Sequence, residues 1–223
     1  MSNINEDLLS FWDASFNNLL TDTINGKWVE DENFNNCVKK YIKDDSNVLD
    51  YGCGSGWAIM EIAYTVKLKG GLGIDPSKNA IDYLLRTKKA SNLDFLDFKV
   101  GDQNLLNDYH KYFDNAVSFN VIDVLPDDII KSILKNISLS LKKDGYFIVG
   151  INPSFPKDFL DKNGFIEENG YLFKNGILRL NIKTDEQWKE LFSQYFKVVD
   201  FFLVSLTEGE KKVPRRVFVL KNI

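Results

Sequence analysis

Three glycines at alternate positions, Gly52, Gly54 and Gly56, follow an apolar run that ends in an acid, Val48-Leu49-Asp50-Tyr51. Glycines so spaced let the backbone take positive φ and approach a ligand with no Cβ in the way. The residues after them, Trp57-Ala58-Ile59-Met60-Glu61-Ile62-Ala63, read as a helix, so the turn joins a buried strand to a helix start. That arrangement seats nucleotide-like cofactors. A second acid, in Gly73-Ile74-Asp75-Pro76-Ser77, follows the turn at about the spacing, twenty residues, at which a carboxylate accepts from ribose hydroxyls. The alternative role for Asp75 is to cap the next helix, although Ser77 is also available for that. Asp102, in Val100-Gly101-Asp102-Gln103, is a third acid at the end of a strand-like run, and on its residues alone it could be an ordinary cap for residues 103–107.

In the dinucleotide fingerprint the third glycine falls one position later, where it permits close helix–strand packing. Trp57 stands there, and an indole cannot serve that purpose. Asp50 would also repel a pyrophosphate, whereas a carboxylate suits a ligand bearing an ammonium and a sulfonium. An acid followed by G-x-G-x-G resembles the first motif of the class I S-adenosylmethionine-dependent methyltransferases. The alternatives are an NAD(P)-dependent oxidoreductase, or a turn that merely connects a strand to a helix. The resemblance implies S-adenosyl-L-methionine as cofactor and S-adenosyl-L-homocysteine as product. It implies a cofactor-binding set of Asp50, Gly52, Cys53, Gly54, Gly56, Asp75, Pro76, Asp102, Gln103 and Asn120. In such a set Asp102 accepts from the adenine amino group, and Asn120 lies beneath the methionine moiety and beside the acceptor.

Catalytic residues are less legible. Asp123, in Asn120-Val121-Ile122-Asp123, is the weak candidate: it either orients the acceptor or caps the following helix. His110, the lone histidine, precedes the fourth strand and so falls at the amino edge of the sheet, opposite the expected pocket. Methyl transfer from a sulfonium proceeds by in-line displacement, for which positioning and desolvation supply much of the acceleration and no conspicuous base is required. Aromatic residues gather in the amino-terminal helices and between 152 and 183, and Trp12 and Trp28 are the weak candidates for contact with the acceptor. Neither Cys37 nor Cys53 has metal-ligand spacing, and no metal is expected.

The elements that must position these residues alternate strand and helix. Strands are expected at 46–51, 71–75, 95–100, 115–120 and 145–151, with helices at 56–67, 77–90 and 126–141. Such alternation predicts a parallel sheet with helices on both faces. Helix 184–195 opens on a capping-box pattern, Thr184 with Gln187. Strands 197–206 and 214–221 then read as an antiparallel hairpin. The predicted fold is a three-layer α/β Rossmann-like domain spanning 1–223, with sheet order 3-2-1-4-5-7-6 as the resemblance implies. Two helices, 5–20 and 31–42, form an amino-terminal cap within 1–43. Residues 152–183, rich in Pro and Gly, form an inserted lid with some β-hairpin character.

At 223 residues and a formal charge of -4, the chain suits one domain and lacks a broad basic field for nonspecific nucleic-acid binding. A polar, acidic start and the absence of any apolar run of about 20 residues predict a cytoplasmic protein without membrane association. DNA is not expected as a partner: the stretch after the fourth strand lacks an Asn/Asp-Pro-Pro-aromatic run, and Asn152-Pro153-Ser154-Phe155 follows the fifth strand instead. Lys211, Lys212, Arg215 and Arg216 could meet RNA or a carboxylate, although a hairpin tip with alternating charges is more often simply solvated, and a solvated tip is the expectation. A small-molecule acceptor is the leading reading. The alternatives are a protein or RNA acceptor, and a module that holds the cofactor without turning it over.

Overall fold

The computed structural model describes residues 2–21, 31–208 and 211–223. Ten strands, β1 to β10, and seven α-helices, α1 to α7, are assigned among them. The main sheet has seven strands. Its parallel part runs β3 (Leu96–Val100), β2 (Gly70–Asp75), β1 (Asn47–Tyr51), β4 (Phe113–Phe119) and β5 (Leu141–Ile151). It is closed by β10 (Lys211–Lys221) and β9 (Lys197–Glu208), with β10 antiparallel to both β5 and β9. Counted without the three insert strands, this is the expected 3-2-1-4-5-7-6 order.

Two apolar layers sandwich the sheet. On one face α2 (Glu32–Tyr41), α3 (Trp57–Thr65) and α4 (Lys78–Ala90) bury Phe34, Val38, Ile59, Ile62, Ile81 and Leu84. On the other, α5 (Asp127–Ser140) and α7 (Asp185–Phe192) bury Ile130, Ile133, Leu134, Trp188 and Phe192. Each such side chain contributes roughly 1.5–3 kcal/mol by leaving water. Because helices cover both faces, β1 is buried from Val48 to Tyr51 with no alternation, which is how a central parallel strand behaves.

Local chemistry sets the helix ends. Asp31 caps α2, its Oδ1 accepting from the amides of Asn33 and Phe34, while its Oδ2 accepts from Ser205 N and ties the cap to β9. The Thr184–Gln187 capping box of α7 is present in both directions. The first helix differs from expectation: α1 spans Ser2–Ser15 and not 5–20. After it, Phe16 N donates to Asp13 O and Asn17 N to Ala14 O, tight turns that end the helix before Asn17 and Asn18, both weak helix formers.

The 152–183 segment holds a short helix, α6 (Lys157–Lys162), and a separate antiparallel sheet of β6 (Ile166–Glu168), β7 (Tyr171–Lys174) and β8 (Ile177–Asn181). Its two turns are Asn169-Gly170 and Asn175-Gly176, all four residues at positive φ, the chemistry of a tight hairpin turn. No described helix is long and apolar enough to cross a membrane.

Candidate active site

A cavity of about 830 Å³ opens beyond the carboxyl ends of β1, β2 and β4, where strand order reverses. Its floor is the glycine turn. Gly52 N and Cys53 N both donate to Ile74 O, which folds the turn back against β2. Gly52 has φ +70°, and a Cβ there would lie 2.4 Å and 2.8 Å from the two Val121 methyls. Gly56, at φ +75°, starts α3, and a Cβ on it would meet Leu84 Cδ2 at 2.5 Å. The first and third glycines are thus required by packing within the protein. Gly54, at φ +49°, faces the cavity, where the Phe16 ring would stand 3.2 Å from an added Cβ.

Asp75 ends β2 on the cavity wall, 8% exposed. Ser77 takes the capping role, its Oγ accepting from Ala80 N, and that leaves the Asp75 carboxylate for the site. Asp75 Oδ2 accepts from Gly54 N at 2.9 Å and Oδ1 from Ser77 N at 2.8 Å. Burial pushes its carboxyl above the usual range, and the two amides oppose the shift. Asp102 lines the cavity too but is exposed, and it caps the 3₁₀ turn Gln103–Asp108, accepting from Asn104 N at 2.8 Å. Gln103 is fixed beside it, its Oε1 accepting from Tyr51 Oη.

Of the predicted cofactor set, Gly52, Cys53, Gly54, Asp75, Pro76, Asp102, Gln103 and Asn120 line this one cavity. Asp50 and Gly56 do not line it. Asp50 is buried under the turn, where its Oδ2 accepts from Ile59 N at 3.3 Å. Burial, assisted by the neighbouring Asp75 charge, pushes Asp50 up to about 7. Cys53 is a buried thiol pushed well above its ordinary value by burial, so it offers no thiolate nucleophile.

Two further expectations are corrected. Asp123 is turned inward by the 3₁₀ turn Ile122–Val124 and faces a neighbouring cavity of about 340 Å³ instead. Its Oδ2 accepts from Asn152 N and Nδ2, and its Oδ1 has no partner among the described residues. Arg215 and Arg216 are not on a solvated tip: they are 3% and 8% exposed. Strand β10 runs between β5 and β9, so consecutive arginines point to opposite faces of a sheet interior. Arg216 donates to Asn152 O, Lys183 O and Asp185 Oδ1, while Arg215 lines the main cavity and donates from Nε to Asn120 Oδ1 at 2.7 Å. The readable sign was the run Val213-Pro214-Arg215-Arg216-Val217-Phe218-Val219-Leu220, apolar on both parities after the arginines and hence a strand with two covered faces.

The roof is α1. Leu8, Leu9, Trp12 and Phe16 line the cavity, as predicted for Trp12, whereas Trp28 lies outside the described residues. Asp13 pins the roof to the start of α4, its Oδ1 accepting from Ser77 Oγ at 2.6 Å and from Asn79 N at 3.2 Å. These bonds hold its carboxyl below the usual range. On the other side the Arg179 guanidinium of β8 stacks 3.8 Å over the Phe11 ring and ties the roof to the insert sheet.

A family model described as a methyltransferase domain matches residues 42–194. Among curated proteins, the chain is similar to the ribosomal protein L11 methyltransferase of Lachnospira eligens, 30% identical over 116 residues that cover 50% of this chain and 35% of that one. It spans less than half the length of the curated relatives it matches, 35%, 40% and 45%. Among solved structures, a SAM-dependent methyltransferase from Methanosarcina mazei superposes with a TM-score of 0.70 at 20% identity, over 84% of this chain and 97% of that one. The 1,6-didemethyltoxoflavin-N1-methyltransferase of Burkholderia thailandensis, solved with 1,6-didemethyltoxoflavin and S-adenosylhomocysteine, superposes at 0.61 and 15% identity over 86% and 77%. The fold is shared with both.

Proposed function

The chain belongs to the methyltransferase domain family, and from that premise we propose that it moves a methyl group from S-adenosyl-L-methionine to a small-molecule acceptor. One observation carries the reading: the glycine turn, two acids and an apolar roof enclose a single cavity of about 830 Å³. That lies in the upper part of the range for small-molecule sites, roughly 300–1,000 Å³, and leaves room for an acceptor beside the cofactor.

The residues fit this cofactor. Asp75 and Asp102 are acceptors at one end, suited to ribose hydroxyls and an exocyclic amino group. The buried Asp50 behind the turn, together with Asp75, favours positive charge in front of it. S-adenosylmethionine, when bound, supplies an electrophilic methyl on a sulfonium. The chain's own part is to align and to dry the site. Leu8, Leu9, Trp12 and Phe16 from the roof, with Val124, Leu125, Ile129 and Ile133 opposite, exclude water from the acceptor side. Alignment of desolvated reactants is worth roughly 7–11 kcal/mol in favourable systems, so a displacement onto a neutral or already deprotonated nucleophile proceeds without a dedicated base.

The Burkholderia neighbour was solved with 1,6-didemethyltoxoflavin bound, which agrees with a small-molecule acceptor here. The ribosomal protein L11 methyltransferases favour a protein acceptor instead. A calorimetric titration with S-adenosylhomocysteine, followed by assay of S-adenosylmethionine turnover with a fractionated metabolite extract and with ribosomal proteins, decides between them. Saturable binding with turnover in the metabolite fractions is expected. No heat with either adenosyl compound would sink the cofactor reading, and turnover confined to the protein fraction would replace the acceptor.

A further inference from the structure

The cavity that Asp123 faces lies between the end of β5, the start of α7 and the insert sheet. Its volume of about 340 Å³ is at the small end of the range for small-molecule sites, roughly 300–1,000 Å³. One side is apolar: Leu172 and Leu180 are buried, with Phe155, Leu160 and Phe165 packed on them. Val124 belongs to the same apolar cluster and lines the main cavity, and Asn152 lines both cavities, so the two spaces share a wall.

The polar side is unbalanced. Each cation lining this cavity is matched: Lys157 pairs with Asp161 at 3.0 Å, Lys183 with Asp127 at 2.9 Å and Arg216 with Asp185 at 3.0 Å. Asp123 and Glu167 line it with no ion-pair partner among the described residues. Asp123 is also 1% exposed, and its two oxygens differ. Oδ2 accepts from Asn152 N at 2.8 Å and from Asn152 Nδ2 at 2.9 Å, whereas Oδ1 is buried with no donor among the described residues. An ionised carboxylate oxygen can only accept, and one left unmet in the interior is destabilising until a donor is supplied. Burial raises this carboxyl above the ordinary range, opposed by the Asn152 donors, the adjacent Asp123 amide and the Arg216 charge.

We propose that this cavity is a second small-molecule site, distinct from the cofactor cavity, which takes a primary ammonium on a compact apolar body, with Asp123 Oδ1 accepting from the ammonium and the wall of Phe155, Phe165, Leu172 and Leu180 receiving the body. The proposal goes beyond the methyl-transfer reading and does not depend on it. An ammonium supplies the donor that Oδ1 lacks and the positive charge that the lining lacks, and a hydrogen bond between two ions is the stronger kind. A neutral alcohol supplies the donor alone. An amine against its alcohol is therefore the discriminating comparison. Amines are also drawn to Asp75 and Asp102 in the main cavity, and the test separates the two cavities.

The protein is titrated by NMR with matched amines and alcohols, 2-phenylethylamine with 2-phenylethanol and cyclohexylmethylamine with cyclohexylmethanol, first alone and then saturated with S-adenosylhomocysteine. The wild type is expected to bind each amine at least fivefold more tightly than its alcohol, and to do so within twofold whether or not S-adenosylhomocysteine is present. Asp123→Asn, which keeps the shape and removes the charge, should erase the preference while S-adenosylhomocysteine affinity stays within twofold. Equal binding of amines and alcohols, no amine binding at millimolar concentration, or a preference that survives Asp123→Asn overturns the proposal. So does displacement of the amines by S-adenosylhomocysteine, because they then sit against Asp75 or Asp102. If Asp123→Asn does not fold, Ser154→Trp, at an exposed position on the rim, must weaken both amines at least fivefold, and unchanged binding there overturns the proposal equally. Failure of the wild type to bind S-adenosylhomocysteine refutes methyl transfer itself and leaves the comparison made without it intact.

Discussion

Substituting Gly52 by alanine tests how the glycine turn is built. Two costs are expected to act together. The first is conformational: at φ +70° an L-residue pays about 1–2 kcal/mol. The second is steric, because the new Cβ would sit 2.4 Å and 2.8 Å from Val121 Cγ2 and Cγ1, and overpacking of that kind costs about 1–3 kcal/mol. Gly52→Ala is therefore expected to destabilise by about 2–5 kcal/mol in urea unfolding. It should also weaken S-adenosylhomocysteine binding, since Val121 lines the cavity and has to move. Val121→Ala separates the two costs. Alone it removes two methyl groups from a partly buried side chain, worth roughly 1–1.5 kcal/mol. Combined with Gly52→Ala it relieves the two short contacts, leaving Val121 Cβ at 3.1 Å, so that only the backbone cost persists. The double-mutant cycle should then show a favourable coupling of about 1–3 kcal/mol, well above the roughly 0.5 kcal/mol scatter of independent sites. A Gly52→Ala variant as stable as wild type, or strictly additive substitutions, would refute the claim that packing against Val121 dictates the first glycine.

Asp75→Ala is expected to weaken S-adenosylhomocysteine by about 1.5–3 kcal/mol through loss of charge-assisted hydrogen bonds, read by calorimetry; unchanged affinity in a folded variant would place the ribose elsewhere. Asp50 makes stability depend on pH. Its carboxyl is held near 7 in the folded protein against about 3.8 for the free side chain, so between those values the folded state binds the extra proton. Its contribution to stability therefore falls as pH rises from about 4 to about 7 and is level above that. Asp50→Asn, which keeps an acceptor for Ile59 N, should lack this decline. Its stability relative to wild type should grow across that window by up to about 1.4 kcal/mol per pH unit, measured by urea unfolding at stepped pH. A difference that is flat, or that shrinks with rising pH, would contradict the burial argument.

Much of the scaffold was legible because each local signal agreed with its neighbours. The apolar run into Asp50, the alternate glycines, the Ser77 and Thr184 caps and the strand–helix rhythm all describe one parallel sheet, and all are present. Ser77, the other cap that the sequence offered beside Asp75, is the one that caps α4, and the Asp75 carboxylate stands on the cavity wall. Asp102 takes the capping role that its spacing allowed, at the start of a 3₁₀ turn on the cavity rim. What was misread depends on tertiary placement. A basic pair near a hairpin suggests solvent only if the strand is at an edge, and β10 is interior. The insert was under-read for a different reason: Asn169-Gly170 and Asn175-Gly176 were visible turn signals, yet the strands they join are only three to five residues long. The inward turn of Asp123 follows from the tight bend after β4, and no spacing rule reports which way such a bend aims a side chain.

The placement of β10 also bears on how the protein is made. Synthesis delivers β1 to β5 well before residues 211–221, so the glycine turn, Asp75 and Asn120 can settle while the nascent chain is incomplete. Until β10 emerges, β5 presents a bare edge along Tyr146–Ile151, an open template for other strands. The late arrival of one strand therefore seals that edge and delivers Arg215 in the same event. A ribosome-stalled chain ending before residue 211 should already hold the adenosyl ligand weakly, while remaining prone to self-association.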